Sequence, residues 1–149
     1  MFVKKQILLP DFKKHTVDGF EVVPAIFQDI FTKEVLTLAY LDEKAWRQML
    51  STRLATVFST SKGRIRVKGE QSGNFQRVVF VRSDCDNDAL LVGVEPIGEQ
   101  LACHTGARTC FYLCTDGTVD LLVQPGPKGT QERKSEFVEV DIHPEIRII

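Results

Sequence analysis

Apolar positions along this chain fall in short runs broken by polar turns, the pattern of strands rather than of long helices. Phe20 to Phe27 and Val35 to Leu41 are rich in Val, Ile, Leu and Phe and predict two buried strands joined by a polar turn around Thr32-Lys33. The period then changes. After Asp42, a suitable N-cap with Glu43 in the first turn behind it, Ala45, Trp46, Met49 and Leu50 share one face at helical spacing and predict a short amphipathic helix. Further strands are expected from β-branched and aromatic content over Thr56 to Ser59, Arg64 to Lys68, Val78 to Arg82, Ala89 to Glu95, Val119 to Gln124 and Phe137 to Ile142. Turn signals separate them at Asp18-Gly19, Lys62-Gly63, Ser72-Gly73-Asn74, Asp116-Gly117 and Pro125-Gly126-Pro127-Lys128-Gly129. The expected fold is mainly β (α+β), with antiparallel curved sheets and one short helix.

Length and composition narrow the class. A chain of 149 residues fits a single domain, 1–149, able to bury about two thirds of the surface its unfolded form exposes. Apolar residues at 43% and charged residues at 26% exclude a disordered chain and a fibrous repeat. A net charge of -1 offers no global attraction for nucleic acid, so any anion site must be built locally. No apolar run approaches the roughly 18 residues of a membrane span. The start MFVKKQILLPDFKK lacks the long apolar stretch and cleavage site of a signal peptide, so a cytoplasmic protein without a membrane partner is expected. All four cysteines, Cys85, Cys103, Cys110 and Cys114, crowd between positions 85 and 114, which favours metal binding or catalysis over a disulfide framework.

The segment Ser83-Asp84-Cys85-Asp86-Asn87-Asp88 alternates carboxylates with a thiol and an amide. Continued as a strand, it would point Asp84, Asp86 and Asp88 to one face and Cys85 to the other. Carboxylates suit hard Mg²⁺ or Ca²⁺ and thiolate suits Zn²⁺, so the alternation separates two kinds of metal site. An EF-hand is excluded, because its sixth position needs Gly and here is Ala89, and because strands rather than helices flank it. An acidic turn that holds no metal is the plainer alternative.

Cys103-His104-Thr105-Gly106-Ala107-Arg108-Thr109-Cys110 places two thiols six residues apart with an imidazole beside the first. This spacing is weaker than the C-x2-C knuckle of structural zinc modules, and any single cysteine could be a small buried hydrophobe. Zinc held by Cys85, Cys103 and Cys110 would keep a fourth position free for water, as catalysis requires, whereas Cys114 as a fourth ligand would close the site into a structural staple. His104 can exchange protons near neutrality, since an unperturbed imidazole titrates at about 6.5. His15 and His143 stand in ordinary contexts.

Between Lys62 and Asn74, Arg64, Arg66 and Lys68 share one strand face while Ile65 and Val67 take the other. Flanked by glycine turns, such a basic stripe suits phosphate, or is simply a solvated strand face.

These clusters in this order resemble phosphoribosyl-AMP cyclohydrolase. The resemblance rests on Lys68-Gly69-Glu70 with Ser72-Gly73-Asn74, on Asp84-Cys85-Asp86-Asn87-Asp88, and on Cys103-His104-Thr105-Gly106 with Cys110-Phe111-Tyr112, supported by Val23-Pro24-Ala25-Ile26 and Leu38-Ala39-Tyr40-Leu41. It marks residues 20–112 as the family-like core and 115–149 as an extension too short for the pyrophosphohydrolase domain fused to some members. The resemblance implies an intertwined homodimer in which Cys85 of one subunit joins Cys103 and Cys110 of the other around zinc, while Asp84, Asp86 and Asp88 hold Mg²⁺. It further implies hydrolysis of the N1–C6 bond of the adenine ring in phosphoribosyl-AMP, a step of histidine biosynthesis, with His104 as proton shuttle. Arg64, Lys68, Glu70, Ser72, Asn74 and Arg108 become the expected substrate contacts. Thr56 to Ser61 lacks the tryptophan and arginine expected there, which leaves a divergent hydrolase of another purine nucleotide as the runner-up. A zinc-stapled binding module without catalysis, or a β domain with reduced cysteines and no metal, are the readings from other classes.

Overall fold

A computed structural model of the chain describes residues 3–120, 122–123 and 136–149. Two short strands, β1 (Thr16–Val17) and β2 (Phe20–Glu21), form a hairpin of their own. Both turn residues, Asp18 and Gly19, have positive φ, the geometry that matches a tight turn to the twist of its strands. The expected strand from Phe20 to Phe27 is therefore split at Val22, and its longer part is β3 (Val23–Asp29) in the main sheet.

β3 and β4 (Val35–Leu41) pair antiparallel, closed by the turn predicted at Thr32-Lys33. Asp29, buried at that corner, accepts hydrogen bonds from the Phe31 and Thr32 amides at 2.8 and 3.2 Å. The helix follows as α1 (Glu43–Thr52), with the Asp42 carboxylate accepting from the Ala45 amide at 2.8 Å and Arg53 closing the other end in the left-handed region. Ala45, Trp46 and Met49 are buried as expected, but Leu50 sits at the margin of that face and is 40% exposed.

β5 (Thr56–Ser59), β6 (Arg64–Val67), β7 (Gln76–Ser83) and β8 (Leu90–Pro96) complete a six-stranded sheet in the order β6-β5-β4-β3-β8-β7. One pairing departs from the antiparallel expectation, since β8 lies parallel to β3. The sheet is therefore mixed, and it curls. The stretch before β5 bonds to both sides, Ala55 donating to the Gln76 carbonyl and accepting from the Lys68 amide, each at 2.9 Å. Inside lie Val23, Ala25, Phe27, Leu36, Leu41, Val92 and Val94 with the apolar face of α1. The opposite side of the central strands leaves Ile26, Val35 and Leu38 at 39–46% exposure.

Two expected strands are not seen among the described residues. Val119 makes one isolated bridge to Leu113 and residues 122–123 turn, while 121 and 124 and the Pro125 to Gly129 stretch lie outside the described residues. Phe137 to Ile142 is exposed and unpaired. Alternating apolar residues make a strand only where an edge accepts their backbone hydrogen bonds, and among the described residues this segment meets none. No helix among the described residues is long and apolar enough to cross a membrane.

Candidate active site

The loops after β6 and after β8 face each other across a cleft of about 490 Å³. One wall comes from Arg66 and the turn Lys68 to Asn74, the other from Leu101 to His104 with Gly106 and Cys110, and Thr37 of β4 lies on the lining. The turn is compact by necessity. A Cβ on Gly69 would stand 2.4 Å from the Asn74 backbone, and its φ of +92° favours glycine independently. Asn74 then reaches across, its Oδ1 accepting from the Glu99 amide at 2.9 Å, so that one loop holds the other.

Cys110 is fixed against β4. Its amide donates to the Leu36 carbonyl at 2.7 Å. The neighbouring Thr109 hydroxyl donates to the Val35 carbonyl at 2.7 Å and accepts from the Phe111 amide at 3.1 Å. Cys103 starts a tight turn in which the Gly106 amide donates to its carbonyl at 3.0 Å and the Thr105 hydroxyl donates to its sulfur at 3.0 Å. Cys103, Cys110 and Thr37 share the cleft lining, near enough for Cys103 and the Thr37 hydroxyl both to act on the Cys110 thiol. Burial pushes the Cys110 thiol above its ordinary value, partly offset by the Thr37 hydroxyl and the Lys68 ammonium. Burial likewise depresses Lys68, and Arg66 adds to the effect, while the two cysteines oppose it as thiolates. Two thiols and the Lys68 side chain, with exposed His104 on the same lining, make a donor set that suits a soft metal.

Asp84, Asp86 and Asp88 also come together, with carboxylate oxygens within 4.8 Å of one another. The cause is a turn, not the strand alternation expected. β7 ends at Ser83, the Asp84 amide donates to the Ala89 carbonyl at 2.9 Å, and the Asp84 carboxylate accepts from the Asp88 and Ala89 amides at 3.0 and 3.2 Å. Two residues that sequence reasoning passed over meet this cluster: His15 Nε2 lies 2.8 Å and Lys14 Nζ 2.9 Å from Asp88 Oδ2. His15 foremost, then Lys14, holds the Asp88 carboxyl down to about 2. Nothing local in the sequence signals a contact across 73 positions.

Cys85 sits exposed in that same turn and does not meet Cys103 and Cys110. Among the described residues the aspartates are the one group of three side chains placed to share a metal. The reason is topological, because Cys85 precedes β8 and Cys103 follows it. Seven residues of strand put roughly 20 Å between its ends. Cys114 is half-buried in a separate turn, its amide donating to Thr118. Of the expected substrate contacts, Lys68, Glu70, Ser72 and Asn74 line the cleft, joined by Arg66. Arg64 is exposed and off the lining, and Arg108 is held in a two-pronged pair with Glu34 at 2.6 and 2.9 Å.

The family described as phosphoribosyl-AMP cyclohydrolase matches the chain over residues 37–112. A protein named phosphoribosyl-AMP cyclohydrolase from Thermobifida fusca is 56% identical over 98 residues, 66% of this chain and 81% of its own length. Its namesake from Methanothermobacter thermautotrophicus is 46% identical over 104 residues, 70% of this chain and 74% of its own. The chain is also 56% identical over 91 residues to the histidine biosynthesis bifunctional protein HisIE of Pyrococcus furiosus, of which the match spans 42%.

Proposed function

The chain belongs to the phosphoribosyl-AMP cyclohydrolase family, and we propose that it adds water to C6 of the adenine ring of phosphoribosyl-AMP and opens the N1–C6 bond, as a step of histidine biosynthesis. The observation that carries this reading is the cleft itself, where two thiols, an exposed imidazole and the half-buried Lys68 side chain share one lining.

The donor sets fit two different metals. Paired thiols suit zinc, and three clustered carboxylates suit Mg²⁺. Cys103 and Cys110 would hold zinc, which when bound would lower the pKa of a water from near 16 toward roughly 7 and make it a hydrolytic nucleophile. The residues of the chain do the rest. Arg66 and Lys68 neutralise phosphate oxygens, with the Ser72 hydroxyl and the amides of the glycine turn as further donors. The phosphoribosyl group on N1 leaves the ring cationic and C6 open to attack. As the C6–O bond forms and the C6–N1 bond breaks, N1 takes the bonding pair and needs a proton, which His104 delivers before recovering one from the added water.

The third zinc ligand is Cys85 of a second copy. Its position at the far end of β8 supports this, since it cannot reach the cleft of its own chain. The exposed apolar side of the sheet at Ile26, Val35 and Leu38 supports pairing of two copies. In that arrangement the aspartates of one copy stand over the cleft of the other.

The test is turnover of phosphoribosyl-AMP by zinc-loaded, Mg²⁺-supplemented protein, followed by the absorbance change on ring opening. Cys103→Ala should abolish it and Cys114→Ala should not. No turnover by zinc-replete wild type overturns the substrate, and loss of zinc from Cys114→Ala would turn the site into a closed four-thiolate staple.

A further inference from the structure

Gln76, the first residue of β7, is 1% exposed, and neither its Nε2 nor its Oε1 has a hydrogen-bond partner. Buried amides are normally satisfied, and one left free at both ends weakens the fold that contains it. An apolar side chain of similar length would fill the position without that loss. The void beside it, lined by Pro96, Ile97, Gln100, Leu101 and Ala102, is too small to admit a water molecule, so solvent does not supply the missing bonds.

That void adjoins the cleft, with Asn74, Leu101 and Ala102 belonging to both. Residues 97–102 run directly into Cys103 and His104. The segment is tied at its start, where the Ile97 amide donates to Phe75 at 2.8 Å, and at its end, where the Ala102 amide reaches Arg108 at 3.3 Å. In between, among the described residues, Leu101 gives neither its N–H nor its C=O to a hydrogen bond. A carboxamide offers both donors and an acceptor and so complements a peptide group in either direction. Gln76, with its unpartnered amide, and Leu101, with its unpartnered peptide, thus line the same small void, next to the residues assigned the chemistry.

We propose that Gln76 is a positioning residue: when a nucleotide fills the cleft, the Leu101 peptide closes onto the Gln76 carboxamide and fixes the stretch that carries Cys103 and His104. The inference rests on the proposed function for the identity of the nucleotide. It accounts for a polar group kept buried and unsatisfied in the open state, because the bonds it lacks are made in the occupied one.

Gln76→Met in the full-length, zinc-loaded protein keeps length and removes both polar ends. Its melting temperature should equal or exceed that of wild type, while kcat falls about 10- to 100-fold, the usual loss when the support of a site is removed, and KM stays near wild type. Amide hydrogen exchange gives a readout independent of turnover. Saturating AMP should slow exchange over residues 97–104 in wild type and not in Gln76→Met. Wild-type kcat in the variant overturns the inference, as does exchange at 97–104 that AMP leaves unchanged in wild type, which decides the matter even if the variant does not fold. A wild type that ignores phosphoribosyl-AMP but responds to AMP in exchange would instead refute the substrate and leave the latch standing.

Discussion

Replacing Thr109 by Val tests how Cys110 is held. Thr109 is 3% exposed, and its hydroxyl donates to the Val35 carbonyl at 2.7 Å, approaches the Leu36 carbonyl at 3.2 Å and accepts from the Phe111 amide at 3.1 Å. Valine keeps the branched shape and removes only these bonds. The Leu36 carbonyl retains the Cys110 amide at 2.7 Å, and Phe111, 60% exposed, can turn its amide to water. The uncompensated loss is at Val35, a carbonyl stripped of its partner in a half-buried place, which costs about 2 kcal/mol. For a chain of this length that lowers the melting temperature by about 4–8 °C. Cys110 would then be tied to β4 through one amide alone, and zinc affinity should fall about 10- to 100-fold, as when supporting hydrogen bonds are removed from metal ligands. Urea unfolding of the metal-free, reduced protein at fixed concentration measures the first effect, and zinc competition with a chromophoric chelator the second. Thr109→Ser, which keeps the hydroxyl, should hold its zinc near wild-type affinity. Unchanged stability and unchanged zinc affinity in Thr109→Val would refute the view that this hydroxyl positions the ligand.

Two further substitutions probe the frame around the site. Gly93→Ala would put a Cβ 2.1 Å from the Phe80 ring, which lies across β8 with the Arg82 guanidinium 4.7 Å from its centre. Overpacking of this kind costs about 1–3 kcal/mol, and the double variant Gly93→Ala/Phe80→Ala should recover part of it in thermal melts; an additive loss would count against the clash. In His15→Ala, the Asp88 carboxyl should climb from about 2 toward its ordinary 3.8. Because the folded-state value is the depressed one, the stabilisation is present above the unfolded value and is lost as pH falls through about 2, so the variant should lose stability relative to wild type at neutral pH and converge with it in strong acid. Carboxyl NMR titration of the metal-free protein reads the shift directly, and an unmoved Asp88 would show that the contact does not set it.

The sequence conveys local chemistry better than long-range pairing. Asp42 and the spacing of Ala45, Trp46 and Met49 specify α1 because cap and face are written within one short stretch. The parallel pairing of β3 with β8 was not legible, since strands so far apart carry no mark of direction in their alternation. For the same reason His15 looked ordinary, its partner Asp88 being brought near only by the completed fold. Phe137 to Ile142 shows the converse failure: its alternation is as good as that of β6, but β6 has β5 to bond to, whereas among the described residues the tail meets no edge. The aspartate cluster was found by composition and explained by the wrong geometry, a strand face in place of a turn closed by Asp84 itself.

That turn also explains why the metal-binding residue types could be read from the sequence while their grouping could not. Cys85 and the aspartates lie before β8, Cys103, His104 and Cys110 lie after it, and the strand between them is buried at Val92 and Val94 and paired on both sides. A buried strand paired on both sides cannot fold back without breaking two ladders of hydrogen bonds, so flexibility does not bring the halves together within a chain. Proximity in sequence thus misleads here, because residues only 18 positions apart are held at opposite ends of the sheet by the element that joins them. Under the proposed function the same rigidity is useful: it presents each half-site at a fixed distance from the other, so that a second copy docked on the exposed side of the sheet can complete both clefts at once, and the assembly rather than the single chain becomes the unit that holds zinc.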